Sequence, residues 1–152
     1  SAASDVYKRQ PLTCGLVAGG TVAIVSAVLI AGALGASPET MISVAPKSVT
    51  VPIAMAVSEH LGGIPALTAA LVVITGVVGA LLARPLLMLL GEKDEAVSGF
   101  AIGLAAHGVG TATAFQMSRN TGGFAGLAMG LTGLFTAFVA PAILPWLIGI
   151  FE

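Results

Sequence analysis

Charged residues are scarce in this sequence. They make up 9% of its 152 residues, whereas a typical soluble domain carries about 25%. Because 57% of the residues are hydrophobic, the chain has too few polar groups to cover a surface in water. The scarcity of charge therefore excludes a soluble domain and favours an all-α integral membrane protein, with the lipid bilayer as its solvent.

Basic residues and cysteine are scarce as well, at six and one. A net charge of −1 offers no basic surface for nucleic acid, and the single cysteine, Cys14, permits no disulfide within the chain. Neither metal-ligand spacing, nor a nucleotide-binding glycine loop, nor a catalytic triad is visible. The sequence therefore predicts no catalytic residue, no metal site and no cofactor, and we do not expect an enzyme.

Three uncharged runs are long enough to cross a membrane, which takes roughly 20 residues. They cover residues 11–36, 61–83 and 121–151. The first run is too long for the apolar region of a cleaved signal peptide, about 7–15 residues. Residues 1–10 (SAASDVYKRQ) differ in composition from everything that follows. We interpret them as a leader or as non-native residues, and residues 11–152 as a single transmembrane domain.

Two apolar segments between these runs are interrupted. Within residues 37–60, Pro46 and Pro52 each remove a backbone donor and disfavour helix in the preceding residue. Within residues 96–120 the break is AHGVGT, in which two glycines flank a valine just after His107. The flanks of both breaks are helical in character, so we predict a pair of half-helices around each break.

The two interrupted segments resemble each other. A shift of 60 residues aligns 45–81 with 105–141, with nine identities in 37 positions, and places Lys47 opposite His107. One uncharged run separates the segments, so we predict a multi-span helical bundle with two interrupted segments, re-entrant or unwound, in an inverted repeat. If both segments cross the bilayer, the basic residues divide between its faces. If both are re-entrant hairpins, one face collects five basic residues, as the positive-inside rule favours. These are Lys8, Arg9, Arg84, Lys93 and Arg119.

Paired breaks are typical of secondary transporters, in which half-helix ends hold the substrate near the midplane. The second halves are predicted to begin at Thr50 and Thr111, where N–H groups and partial positive charge would face an anion. Lys47 would capture a carboxylate, aided by Ser48 and Thr50, because a lysine at membrane depth costs roughly 2.5–3.5 kcal/mol and needs a partner. Alternatively, the break lies near the surface and Lys47 extends to the lipid headgroups.

Other polar residues have two interpretations each. His107 is a candidate proton relay or donor to a substrate oxygen, or else a packed side chain with satisfied hydrogen bonds. The hydroxyls of Thr111 and Thr113 could bond substrate or bond back to their own helix. We interpret four residues near predicted helix ends as interfacial anchors. These are Glu59, His60, Arg84 and Arg119.

Glycine is abundant, at 20 residues. It recurs at every fourth position in three places, which are Gly15/Gly19, Gly99/Gly103 and Gly122/Gly126/Gly130. Such spacing lets two helix backbones approach closely. We therefore predict tight helix contacts, within the chain or in a homo-oligomer.

At its two breaks the sequence resembles a known family. The stretches APKSVTVPIAMAVSEHLGGIPALTA (45–69) and GFAIGLAAHGVGTATAFQMS (99–118) resemble the LrgB family, also called CidB/LrgB. The resemblance covers nearly all of residues 11–147. The family's usual pattern has Ala-Arg where this chain has Ala112 and Thr113. Members are usually longer, which would make this domain the C-terminal part of a longer family domain.

The resemblance implies a multi-pass protein of the bacterial inner membrane and leaves two functions open. The first is transport of small carboxylates such as pyruvate or glycolate, as in the related plastidal glycolate/glycerate translocators. The second is antiholin-like regulation of murein hydrolase activity and autolysis, together with a small holin-like membrane partner of the LrgA/CidA type. We carry over nine motif positions as candidate substrate-binding residues. They are Pro46, Lys47, Ser48, Thr50, Pro52, His107, Gly108, Gly110 and Thr111.

Overall fold

The computed structural model describes residues 2–151, with side chains from residue 10 onwards. Within them the helices are Ala2–Ala33 (α1), Pro38–Val44 (α2), Val51–His60 (α3), Pro65–Leu90 (α4), Glu95–Met117 (α5) and Arg119–Ile148 (α6). Three of these are long and apolar enough to cross a membrane, namely α4, α6 and the part of α1 from Gln10 onwards. This confirms the prediction of an all-α integral membrane bundle. The assignment of residues 1–10 as a leader stays a prediction.

Local capping explains where several helices begin and end. Pro38 occupies the first turn of α2 behind Ser37, whose side chain accepts a hydrogen bond from the Thr40 amide. Asp94 caps α5 in the same way, on two amides of its first turn. Gly91, at φ 67°, ends α4 in the left-handed conformation that glycine permits. α4 therefore extends seven residues beyond the predicted uncharged run, from 83 to 90.

The segment α2–α3 folds back on itself, and we call it, with residues 45–50 between its helices, the first hairpin. The Ile64 amide, after the end of α3, donates to Ser43 Oγ of α2 at 2.8 Å. If α3 continued in the direction of α2, its ten residues alone would separate these groups by about 15 Å. The prolines thus reverse the chain, and α4 begins beside α2.

The helix α5 is also a hairpin, which we call the second hairpin. His107 has φ 40° and ψ −129°, outside the helical region, and divides α5 into halves 95–106 and 108–117. Asn120 Nδ2 donates to Glu95 Oε2 at 3.0 Å. A straight helix of 23 residues would hold its two ends about 34 Å apart, so the second half returns along the first.

Contacts between its halves locate the reversal at a single residue. A Cβ on Gly110 would lie 3.0 Å from the Ile102 carbonyl oxygen, eight residues earlier in the chain. The second half begins directly after His107, so the predicted start at Thr111 was wrong by one helical turn. The error arose because the flanking glycines suggested a longer break than the backbone needs.

The two hairpins enter the bundle from opposite ends. The first follows the end of α1, the second follows the end of α4, and α4 runs the length of the bundle between them. This arrangement agrees with the re-entrant alternative and with an inverted repeat. The second hairpin packs closely on α6, because Gly99 and Gly103 face the backbones of Thr121 and Ala125 without room for a side chain. The predicted glycine contacts are confirmed there.

Candidate functional site

The tips of both hairpins meet the first half of α4, at Val72. Val49 and Ala54 of the first hairpin pack on the Val72 side chain in one buried apolar cluster. His107 of the second hairpin places Nε2 2.9 Å from the Val72 carbonyl oxygen. Val72 lies eight residues into a 26-residue helix. The bundle thus brings the two broken segments together on a helix that is long and apolar enough to cross a membrane. Secondary transporters hold their substrates between broken segments of this kind.

His107 is an anchor of the second hairpin. Its ring is 4% exposed, and since a carbonyl oxygen only accepts, Nε2 carries the hydrogen in the bond to Val72. A Cβ on Gly76, one turn further along α4, would lie 2.6 Å from His107 Cε1, so glycine makes room for the ring. The structure therefore gives the histidine a satisfied, packed environment. One ring nitrogen is committed to the protein and does not face substrate.

Lys47 lies at the tip of the first hairpin, in the break between α2 and α3. Its side chain is half-buried, and Nζ donates to Ser48 Oγ at 3.2 Å. Because Ser48 accepts this bond, its own hydroxyl hydrogen stays available for another acceptor. Pro46 is fully buried and fixes the break from inside. The cation therefore sits on a rigid turn.

The start of α3 points its first turn at the same tip. Thr50 is the N-cap residue, and its hydroxyl bonds no amide of that turn. First-turn amides lack partners within their helix, and Pro52, an exposed residue in that turn, has none to offer. The backbone N–H groups of Val51 and Ile53 therefore remain as hydrogen-bond donors at this helix end. Lys47, Ser48 and this helix end together form a set of donors with positive potential, suited to a small anion.

The candidates in the second hairpin have mainly structural surroundings. Thr111 Oγ1 donates to the His107 carbonyl at 2.7 Å, and Thr113 Oγ1 to the Val109 carbonyl at 3.2 Å. Both hydroxyls thus bond back to their own helix, the second of the two interpretations. Gly110 is buried and permits the close approach of the hairpin halves, whereas Gly108 is exposed with only Met129 Sδ near, at 3.9 Å from an added Cβ.

Several residues that position the tips were missed. Val72 and Gly76 on α4 receive His107, and Met129 and Gly133 on α6 meet the two hairpins. None has a functional group that a sequence pattern would single out. Only their spacing of four residues, which places each pair on one helix face, is a usable signal.

Several other features lie outside the tips. The four predicted interfacial anchors, Glu59, His60, Arg84 and Arg119, are all exposed. Cys14 is exposed on α1. An open groove of about 1060 Å³ lies between α1 and the start of α5. Its lining is mainly apolar, with Phe100 and Phe124, but it also contains the polar residues Lys93, Asp94, Glu95 and Asn120. Within residues 10–151, no group of three or more His, Cys, Asp or Glu side chains could hold a metal ion.

Fold and tips together define a helical membrane protein with two inverted hairpins. The chain belongs to the LrgB-like family, whose model matches residues 7–146, and this confirms the resemblance. It is 38% identical over 121 residues to an uncharacterised protein of Haemophilus influenzae, covering 80% of this chain and 52% of the relative.

Two further relatives have names that describe a function. Identity is 31% over 110 residues to the holin-like protein CidB of Staphylococcus epidermidis, covering 72% of this chain and 48% of the relative. It is 30% over 132 residues to the antiholin-like protein LrgB of Bacillus mycoides, with 87% and 57% covered. The chain spans about half the length of the curated relatives it matches. No solved structure matches it.

Proposed function

We propose that the protein carries small carboxylates of the pyruvate or glycolate type across the bacterial inner membrane. The observation that supports this most is the meeting of two inverted hairpin tips at Val72 of α4, with a lysine at one tip. Broken segments persist at membrane depth only where protein or a watery cavity surrounds them. An antiholin role alone gives them no task.

The charge at the tip selects the substrate class. Lys47 and the first turn of α3 supply positive potential and hydrogen-bond donors, and Ser48 supplies one more donor. A carboxylate accepts several hydrogen bonds through its two oxygens, and it would compensate the burial of the ammonium group. A cation at this tip would be repelled by the Lys47 ammonium group.

Uptake of labelled pyruvate and glycolate into proteoliposomes that hold the full-length protein tests the proposal. We expect saturable uptake that Lys47→Ala abolishes and Lys93→Ala leaves unchanged. Lys93 is the matched control, because it is an exposed lysine in the loop before α5. No uptake of either acid under proton or sodium gradients would refute the carrier.

The names of the relatives favour a second candidate, an antiholin-like regulator of murein hydrolase activity that assembles with a small holin-like partner. The α6 surface offers a contact for such assembly, because an added Cβ on Gly130 would meet no atom within 4 Å. An assembling protein should tolerate Lys47→Ala but lose its effect on cell autolysis with Gly126→Leu or Gly130→Leu. A carrier should show the reverse order of sensitivity.

A further inference from the structure

One buried hydroxyl on α6 has no hydrogen-bond partner among the described residues. Thr132 is 1% exposed, and its Oγ1 has neither donor nor acceptor within reach in that part of the chain. Helical threonines can bond the carbonyl four residues earlier, as Thr68 and Thr111 do at 3.2 and 2.7 Å. A buried polar group without such a bond costs free energy and demands an explanation.

Thr132 lies between the points where the two hairpins touch α6. Met129 Sδ is 3.9 Å from Thr111 Oγ1 of the second hairpin. A Cβ on Gly133 would lie 2.8 Å from Ile53 Cδ1, in the first turn of α3. Positions three and four apart share one helix face, so Thr132 is on the face of α6 that meets the second half of each hairpin.

The internal repeat also indicates that Thr132 lies beside a hairpin tip. The shift of 60 residues that pairs Lys47 with His107 also pairs Thr132 with Val72. On α4, the Val72 carbonyl is occupied by the tip histidine. At the corresponding place on α6, beside the hairpin that holds the lysine, no described protein group occupies the hydroxyl of Thr132.

We infer that Thr132 is a further substrate-binding residue, which hydrogen-bonds the small carboxylate that Lys47 attracts. The inference rests on the proposed transport function. A hydroxyl both donates and accepts, so it suits the keto oxygen of pyruvate and the hydroxyl of glycolate as well as a carboxylate oxygen. The bound acid would supply the partner that Thr132 lacks.

Two substitutions in the full-length protein separate binding from folding. Thr132→Val removes the hydroxyl at similar volume, and we expect the KM for pyruvate uptake to rise about tenfold, as for a lost hydrogen bond to a charged group. Thr132→Ser restores the hydroxyl and should bring KM back towards the wild-type value. The melting temperature in detergent should not fall with valine, because the hydroxyl it removes is unsatisfied. Thr21→Val, at a half-buried position on α1, is the control.

The outcomes distinguish this inference from the transport proposal. Wild-type uptake tests transport itself, and its absence would overturn both. An unchanged KM in Thr132→Val, with wild-type uptake intact, would overturn only the role of Thr132. A second measurement needs no transport: pyruvate should raise the melting temperature of the wild type and of Thr132→Ser, but not of Thr132→Val. Equal shifts in all three proteins would contradict the inference.

Discussion

The two hairpins differ in what holds their tips. The tip histidine of the second hairpin bonds the backbone of α4, 35 residues away in sequence, at 2.9 Å. The tip lysine of the first hairpin bonds its neighbour Ser48 at 3.2 Å. The second hairpin is also seated on α6 through Gly99 and Gly103. One repeat thus provides a fixed support. The other presents a charged group that pairs with no carboxylate among residues 10–151.

The two halves of an inverted repeat can therefore have different roles, one structural and one in binding. Both tips lie at the same helix, and both second halves start there with their amides directed at the tip. Charge stabilisation by helix ends is available to both hairpins. Only the first adds a cation, so the substrate is expected to lie closer to Lys47 than to His107.

Displacing the second hairpin from α6 is expected to have the largest effect on stability. Gly103→Val would press a side chain onto the Ala125 carbonyl of α6, and we expect a loss of about 3 kcal/mol in the free energy of unfolding, as for an overpacked core. Denaturant unfolding in detergent micelles measures it. Gly123→Val is the control, because an added Cβ there meets no atom within 4 Å. Equal losses in both variants would mean that close seating is unimportant.

Removing the anchor should have the next largest effect. His107→Ala removes the bond to Val72 and the packing of a buried ring, at a cost of about 1–3 kcal/mol. His107→Gly loses the same bond but relieves the backbone, whose φ of 40° is unfavourable for a residue with a side chain. We expect the free energy of unfolding of His107→Gly to exceed that of His107→Ala by about 1 kcal/mol. If glycine unfolds as readily as alanine, the backbone at this tip is not strained.

A polar contact at the base of the first hairpin should contribute less. Thr68 Oγ1 lies 2.7 Å from Ser58 Oγ, and both residues are fully buried between α3 and α4. A double-mutant cycle with Ser58→Ala and Thr68→Val should give a coupling of about 1 kcal/mol. A coupling near zero would show that the apolar contacts of α3 hold the first hairpin without this bond.

Backbone chemistry made much of the fold predictable. The uncharged runs predicted the three membrane-spanning helices because bilayer thickness sets their length. Pro46 and Pro52 predicted the break between α2 and α3, because proline acts on its own backbone. The 60-residue repeat did not predict the local structure after each hairpin. Gly62 forms the turn after α3 at φ 87°, whereas its counterpart Gly122 lies inside α6, which Ser118 caps directly after the second hairpin.

The anchoring of the site could not be predicted in the same way. The partner of His107 is a backbone carbonyl, which every residue has, so the sequence contains no sign of which one it is. The free hydroxyl of Thr132 is equally hidden, since five threonines lie in residues 110–140 and only packing distinguishes this one. Lys47 could be found because a charge in an apolar segment stands out at once.

The smallest effect on stability is expected where the effect on function is largest. Lys47→Met keeps a side chain of similar length but removes a half-buried charge, which donates a hydrogen bond to the uncharged Ser48 hydroxyl. Since an unpaired charge at membrane depth is costly, the free energy of unfolding should stay within about 0.5 kcal/mol of wild type or rise, while uptake is lost. Unfolding in detergent and uptake in proteoliposomes are measured on the same preparation. If Lys47→Met unfolds like His107→Ala, the lysine is a second anchor, and the division of work between the hairpins is wrong.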